Sequence, residues 1–275
     1  ANDSSTASPR GPLSSARQQL AATGNSNYGW FGGGGASGPL ATVDRIDFSN
    51  DLATALVRGP LSLARTGLAA TGNSNYGWFG GGESPSEIVA TVDRINFSND
   101  SATASPRGLL SLSRSVLIAT GNSNYGWFGG GSDASFNRVN RVDRIDFSND
   151  SGTASPRGPL FTARYYLAAT GNSNYGWFGG GNTFPNPVVA TVDRIDFSND
   201  STTALVRGPL SLARFAPGAT GNSNYGWFGG GGAPGPLVTA VVDRIDFSND
   251  SATASPRGPL SQARYIVAAT SNTLT

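Results

Sequence analysis

The stretch Gly24-Asn25-Ser26-Asn27-Tyr28-Gly29-Trp30-Phe31-Gly32-Gly33-Gly34 recurs four more times without a change, starting at Gly72, Gly121, Gly171 and Gly221. Its tryptophans, Trp30, Trp78, Trp127, Trp177 and Trp227, stand 48, 49, 50 and 50 residues apart. A period near fifty with glycine and aromatic landmarks is the sign of a propeller or solenoid of small sheets, none of which buries its apolar faces alone. Composition agrees with an all-β chain. Thirty-eight glycines and 16 prolines in 275 residues leave little room for long helices, and 37% hydrophobic residues supply a sizeable core.

Working outward from this stretch, each repeat divides into four short strands. Strand a follows an Ala-Arg or Ser-Arg pair, as at 18–23 or 165–170, and runs into Gly-Asn-Ser-Asn, residues that tolerate the positive φ of a tight reversal. Strand b is Tyr-Gly-Trp-Phe, stopped by glycines. Strand c is Val-Asp-Arg-Ile-Asp-Phe, first at 43–48, with Asn96 replacing the second aspartate once. A Ser-Asn-Asp turn leads to strand d, the Thr-Ala-x-x-Arg-Gly segment. Four of the six copies of d carry a proline (Pro9, Pro106, Pro156, Pro256), which cannot donate to a ladder and so places d at the outer edge.

Strand c does not alternate cleanly. In Val43-Asp44-Arg45-Ile46-Asp47-Phe48 each side receives both apolar and charged residues, so both faces of the sheet must be packed and much of the charge paired. Lysine is absent, and arginine suits planar bidentate pairing with carboxylates. The alternative use of these charges is an anion site. Net charge is +1, which gives no electrostatic footprint for nucleic acid or an anionic membrane. No apolar run approaches the roughly 20 residues of a membrane helix.

The succession Ala16-Arg17, Asn27-Tyr28-Gly29-Trp30-Phe31-Gly32-Gly33 and Val43 through Asp47 resembles the kelch repeat over essentially the whole chain. That resemblance implies a β-propeller of four-stranded antiparallel blades. One departure is the tryptophan, which kelch repeats carry early in the fourth strand and this chain carries in strand b. The wording Val-Asp-Arg-Ile-Asp-Phe-Ser-Asn-Asp followed by Thr-Ala-Ser-Pro-Arg-Gly-Pro-Leu-Ser and Ala-Ala-Thr-Gly-Asn also resembles repeats in structural proteins of tailed phages that infect marine cyanobacteria. This implies a virion component, a tail or capsid appendage with a virion or extracellular location. The partners it implies are other virion proteins or a host-surface glycan or protein, with homo-oligomerisation compatible and with neither nucleic acid nor membrane insertion expected.

The chain reads as one repeat domain, 1–275, in which 1–23 and 249–275 are partial repeats. There are five copies of b and c but six of a and d, because 2–23 and 249–270 are versions of one segment. Five blades are expected, with either the N-terminal or the C-terminal copy of d completing the last sheet but not both. A larger ring interrupted by missing sequence is the competing reading. The surplus copy is then a tail, a strand donated to another subunit, or part of a longer chain. No signal peptide is visible and the chain opens at Ala1, which reads as a processed, excised or partial sequence.

Two places vary while the rest stays nearly fixed. One is the b–c loop, at 35–39, 83–87, 132–138, 182–186 and 233–236; the other is the pair after Ala-Arg, such as Gln18-Gln19 or Tyr165-Tyr166. In an up-and-down blade both lie at the same rim, opposite the repeated turns. Loops on a rigid scaffold carry recognition, against the plain alternative of unconstrained drift. Phe136, Arg138, Tyr165, Tyr166, Phe184 and Phe215 are the expected contact residues, since aromatics and arginine dominate binding patches.

Other chemistries find little support. Tyr28, Trp30 and their copies suit either sugar stacking in a multivalent lectin or interblade packing, the commoner use. The glycine runs lack the Lys-Ser/Thr of a phosphate cradle. The Asp-rich turns lack EF-hand spacing. Without histidine or cysteine there is no copper-oxidase, histidine-triad or thiolate site, and no cofactor or metal is expected. Asp44 and Asp47 resemble a glycosidase pair, but every repeat carries them. The expectation is a non-enzymatic structural or adhesive module, with a multivalent glycan-binding lectin as the alternative.

Overall fold

The computed structural model describes residues 3–183, 187–235 and 237–270. It is a five-bladed β-propeller of four-stranded antiparallel sheets, each in the order a-b-c-d. Blade 1 consists of Ala21–Gly24, Tyr28–Gly32, Val43–Asp47 and Leu56–Arg58. Blade 2 has Ala69–Gly72, Tyr76–Gly80, Val92–Asn96 and Ser105–Pro106, and blade 3 has Ile118–Gly121, Tyr125–Gly129, Val142–Asp146 and Ser155–Arg157. Blade 4 has Ala168–Gly171, Tyr175–Gly179, Val192–Asp196 and Leu205–Arg207. Blade 5 has Gly218–Gly221, Tyr225–Gly229, Val242–Asp246 and Ser255–Arg257. The a strands of successive blades are neighbours, and the proline-bearing d strands are the edges, as the missing N–H groups require.

Strand a begins at Ala21 rather than at 18 because Gln19 turns into the left-handed region (φ 57°), and the same break recurs in each repeat. The register then repeats from blade to blade: Thr23 opposes Trp30, and Trp30 opposes Arg45, as Thr170 opposes Trp177 and Trp177 opposes Arg194.

There is no central core. Four apolar layers lie between successive blades, the first built from Trp30, Val43, Leu61, Leu68, Phe79 and Ile95. Trp30 stacks on Phe97 of the next blade with centroids 3.8 Å apart, and Trp78, Trp127 and Trp177 do the same with Phe147, Phe197 and Phe247. These four tryptophans are therefore packing elements and not sugar platforms. Close approach sets the glycines of strand b: a Cβ on Gly80 would lie 2.7 Å from the ring of Phe128, and one on Gly77 would lie 2.6 Å from Cγ2 of Thr23.

The charges form two buried sets. Within each blade the Ala-Arg or Ser-Arg arginine bonds the first aspartate of strand c, as in Arg17–Asp44, Arg65–Asp93 and Arg164–Asp193 at 2.7 Å, with these side chains wholly buried. Arg164 also donates from its two terminal nitrogens to the carbonyls of Gly180, Thr191 and Phe178. The second set ties blade to blade. Asp100 accepts from the Trp30 indole at 2.9 Å and from Arg45 at 3.0 Å, with Arg58 Nε at 3.6 Å, all from the preceding blade. Asp150, Asp200 and Asp250 repeat this arrangement. Among the described residues, every arginine and aspartate of these sets within the five Arg–Asp pairs and the four interblade clusters is engaged; Arg264 and Asp51, at the junction of blades 5 and 1, are the exceptions.

The last sheet is completed by its own C-terminal copy of d, Ser255–Arg257, so every sheet is a contiguous stretch of chain. The surplus segments meet between blades 5 and 1. Asp3 takes the place of Asp100 for blade 5, accepting from Trp227 at 3.1 Å and Arg244 at 2.9 Å. Burial works against ionisation of Asp3, yet the indole and the Arg244 and Arg257 guanidiniums hold its carboxyl below the ordinary value. At the other end Val267 packs where a Cβ on Gly218 would lie, and Thr270 packs on Gly24 and Gly29 as Thr23 packs on Gly72 and Gly77.

Blades 1 and 4 depart from the pattern at one atom: Asp44 Oδ1 has no partner although Ser14 stands at the serine position, and Asp193 Oδ1 has none where the serine itself is replaced. In blades 2, 3 and 5 a serine hydroxyl (Ser62, Ser111, Ser211) donates to the second carboxylate oxygen of the buried aspartate at 2.5–2.6 Å. Phe161 replaces that serine, so Asp193 Oδ1 has no partner. Burial raises the Asp193 carboxyl above its ordinary value against the pull of Arg164. Phe161 is 62% exposed and contributes little packing. The substitution Phe161→Ser should therefore stabilise the protein by about 1 kcal/mol, measured as a raised urea midpoint; an unchanged or lower midpoint contradicts this account.

The c–d turns titrate in the opposite direction. Hydrogen bonds from Ser148 hold the Asp146 carboxyl below its ordinary value, and Ser49 and Ser248 do the same for Asp47 and Asp246. An unfolded aspartate titrates at about 3.9, so it takes up its proton before the folded one. The stabilisation is present above that pH and is lost as pH falls through the lower native value. Ser148→Ala should move the acid-unfolding midpoint, followed by circular dichroism, to higher pH.

Candidate binding face

Each variable pair after Ala-Arg lies alongside the variable b–c loop of its own blade. Gln18 bridges Gly35, Thr66 bridges Glu83, Tyr165 bridges Asn182 and Phe215 bridges Gly232. In blade 3 the two segments form a small ladder, Arg114–Ser115 against Ser132–Asp133. Both variable sites thus share one rim. The repeated turns sit together at the other, where the Phe48 and Phe97 amides donate to the carbonyls of Asn27 and Asn75.

Near the axis of the variable rim, Gln19, Gly67, Val116, Tyr166, Ala216 and Ile266 all take φ between 49° and 62°. For β-branched Val116 and Ile266 this is a strained backbone held by its surroundings. What holds it is a belt of hydrogen bonds from blade to blade. Gly67 N donates to Gln19 O, Val116 N to Gly67 O, Tyr166 N to Val116 O, Ala216 N to Tyr166 O and Ile266 N to Ala216 O, at 2.6–3.1 Å.

The belt positions a row of side chains. The Arg138 guanidinium lies 4.7 Å from the Tyr165 ring centroid, and Tyr165 lies 4.9 Å from Tyr166. Tyr166 meets Phe215 edge-on at 6.2 Å, and Phe215 meets Tyr265 at 5.9 Å. Four of the expected contact residues, Arg138, Tyr165, Tyr166 and Phe215, therefore form one stripe. Phe136 is separate: it is 68% exposed, left-handed (φ 62°), and borders a depression with Arg138, Thr162, Ala163 and Thr183. Phe184 lies outside the described residues.

Sequence reasoning missed two members. Tyr265, 45% exposed, ends the stripe, and its variable position after Ala-Arg was the signal available. Gln19 reaches across the axis and donates from Nε2 to the Tyr166 hydroxyl at 2.8 Å, a contact between residues 147 apart in sequence. Burial raises the Tyr166 phenol above its ordinary value, with the Gln19 bond opposing. The opposite end of the axis holds a cavity of about 220 Å³ lined by threonine, glycine, asparagine and serine, with no titratable side chain. Among the described residues no group of histidine, cysteine or carboxylates could hold a metal ion.

Removing the phenol oxygen in Tyr166→Phe should cost about 1 kcal/mol of stability through the lost Gln19 bond, read as a lower melting temperature. A Gln19→Ala, Tyr166→Phe double variant should cost little more than either change alone.

No family model matches the chain, and no curated protein is similar to it. Among solved structures, that of YjhT superposes with a TM-score of 0.78 over 94% of this chain and 88% of that one, at 12% identity. At that identity the likeness is one of fold: this chain shares the propeller architecture of YjhT.

Proposed function

We propose that the chain is a kelch-like, non-enzymatic structural and adhesive module of a tailed-phage particle. Its variable rim makes one recognition contact with a host-surface glycan or protein. The observation that carries the reading is the continuous stripe of Arg138, Tyr165, Tyr166, Phe215 and Tyr265, assembled from three blades and the C-terminal segment at positions that vary from repeat to repeat. Aromatic side chains give large contact areas at low entropic cost, and arginine joins them among the residues enriched at binding hot spots. The placement on a phage rests on the wording of the repeats.

A non-catalytic role is supported by how the carboxylates are used. Asp44 is buried against Arg17, and Asp47 accepts from the amide and hydroxyl of Ser49, so both aspartates are engaged in structural contacts. A five-site lectin built on the repeated Tyr-Gly-Trp loses its platforms, because Trp30, Trp78, Trp127 and Trp177 are fully buried. A glycan ligand therefore calls for one site on the variable rim.

Binding of the labelled protein to host cells, and to an immobilised glycan panel, tests this. The Tyr165→Ala, Phe215→Ala pair should weaken binding by about thirtyfold or more, corresponding to roughly 2 kcal/mol. Several equivalent glycan sites, or a variant that binds unchanged, would refute the reading.

A further inference from the structure

Between blades 5 and 1 the chain supplies both outer elements of a blade and neither central one. The C-terminal segment 267–270 stands at the position of strand a, and the N-terminal segment 8–10 at that of strand d. Gly11 N donates to Asp51 O at 2.7 Å as Gly59 N does to Asp100 O, and Gly258 N donates to Asp3 O as Gly208 N does to Asp250 O. The space where b and c would run is a cavity of about 720 Å³ bordered by Trp227, Gly229, Val242, Leu260, Arg264 and Val267.

Four groups on its walls have counterparts that meet a partner from strands b and c at every other position. Arg264 is held by the same backbone bond as its equivalents, Gly231 N to Arg264 O at 2.8 Å. Its five counterparts bond an aspartate at 2.7–2.8 Å with both side chains wholly buried, whereas Arg264 is exposed and meets no carboxylate among the described residues. Asp51 is 42% exposed beside Arg10 at 3.2 Å, where Asp100 and its copies, 8% exposed, accept from a tryptophan and lie against two arginines. Trp227 is half-buried and lacks the stacked phenylalanine that the other four tryptophans have. A Cβ on Gly229 would meet nothing nearer than 3.5 Å, where those on Gly32, Gly80, Gly129 and Gly179 would strike a phenylalanine at 2.7–2.8 Å.

We infer that this slot is a docking site for a two-stranded antiparallel β-hairpin of the repeat's own type, supplied from outside residues 1–275. Its first strand has the pattern Tyr-Gly-Trp-Phe-Gly and its second Val-Asp-Arg-Ile-Asp-Phe. The first aspartate of the second strand meets Arg264, the tryptophan reaches Asp51, the phenylalanine of the first strand covers Gly229, and the closing phenylalanine stacks on Trp227. Backbone pairing with the flanking segments completes a sixth sheet by strand addition and removes two open edges. A second copy of this chain is a poor donor, since each of its b–c hairpins already belongs to its own sheet. The inference is independent of the recognition stripe.

The test titrates the full 275-residue chain with a synthetic peptide of residues 24–50, which carries this pattern. Binding of one peptide per chain is expected, with protection of Trp227 from acrylamide quenching and a raised melting temperature. Arg264→Asp should weaken binding by at least about tenfold, and Asp44→Arg in the peptide should restore it. Gly229→Phe, which fills the seat of the incoming ring, should block it. Absence of binding, or binding indifferent to both Arg264→Asp and Gly229→Phe, overturns the inference. So does a chain that dimerises unaided and shields Trp227, since the slot then belongs to a second copy.

Discussion

One carboxylate at the c–d turn of each of blades 2 to 5 joins that blade to the blade before it. Asp100, Asp150, Asp200 and Asp250 each accept from an indole and an arginine of the preceding sheet. Desolvating such a charge costs several kcal/mol, and only a converging set of donors offsets that cost. The donors come from two different strands, Trp30 from b and Arg45 from c, so a misplaced blade would strand an ion in the interior. Apolar burial supplies most of the adhesion between sheets, and the carboxylate fixes how far and at what angle one sheet sits on the next. Arginine serves here where lysine would not, because a planar fork reaches a carboxylate and backbone carbonyls together, as Arg164 does.

Much of this was legible in the sequence because the determinants are local and repeated. The period of the tryptophans announced the sheets, Pro156 and its copies marked the edge, and the mixed polarity of Val43-Asp44-Arg45-Ile46-Asp47 required packing on both faces. The shared rim of the two variable segments followed from strand order alone. The hidden parts depend on distance in sequence. Nothing local tells that Trp30 bonds Asp100, 70 residues on, or that Gln19 touches Tyr166. The left-handed backbone at Val116 and Ile266 was equally unreadable, since those are residue types that avoid it when a neighbouring blade does not impose it. Tyr265 was overlooked as a contact residue because the stripe exists only once the C-terminal segment returns beside blade 5.

Fixed and variable positions divide along the blade for a mechanical reason. Most residues of strands b and c face a neighbouring sheet on one side or the other, so a change there disturbs an interface. The loop after strand b and the pair before strand a face solvent or the axis, and the blade-to-blade belt holds the pair by its backbone rather than by its side chains. Phe161 shows what happens when drift enters the fixed part: the fold survives without the hydroxyl that Ser62, Ser111 and Ser211 supply to the buried aspartate.

Because each sheet is one uninterrupted length of chain, the seams between sheets are also seams in the gene. Duplicating or deleting fifty codons adds or removes a whole wedge whose two sides already match those of any other, so copy number can change in a single recombination event without new contacts having to evolve.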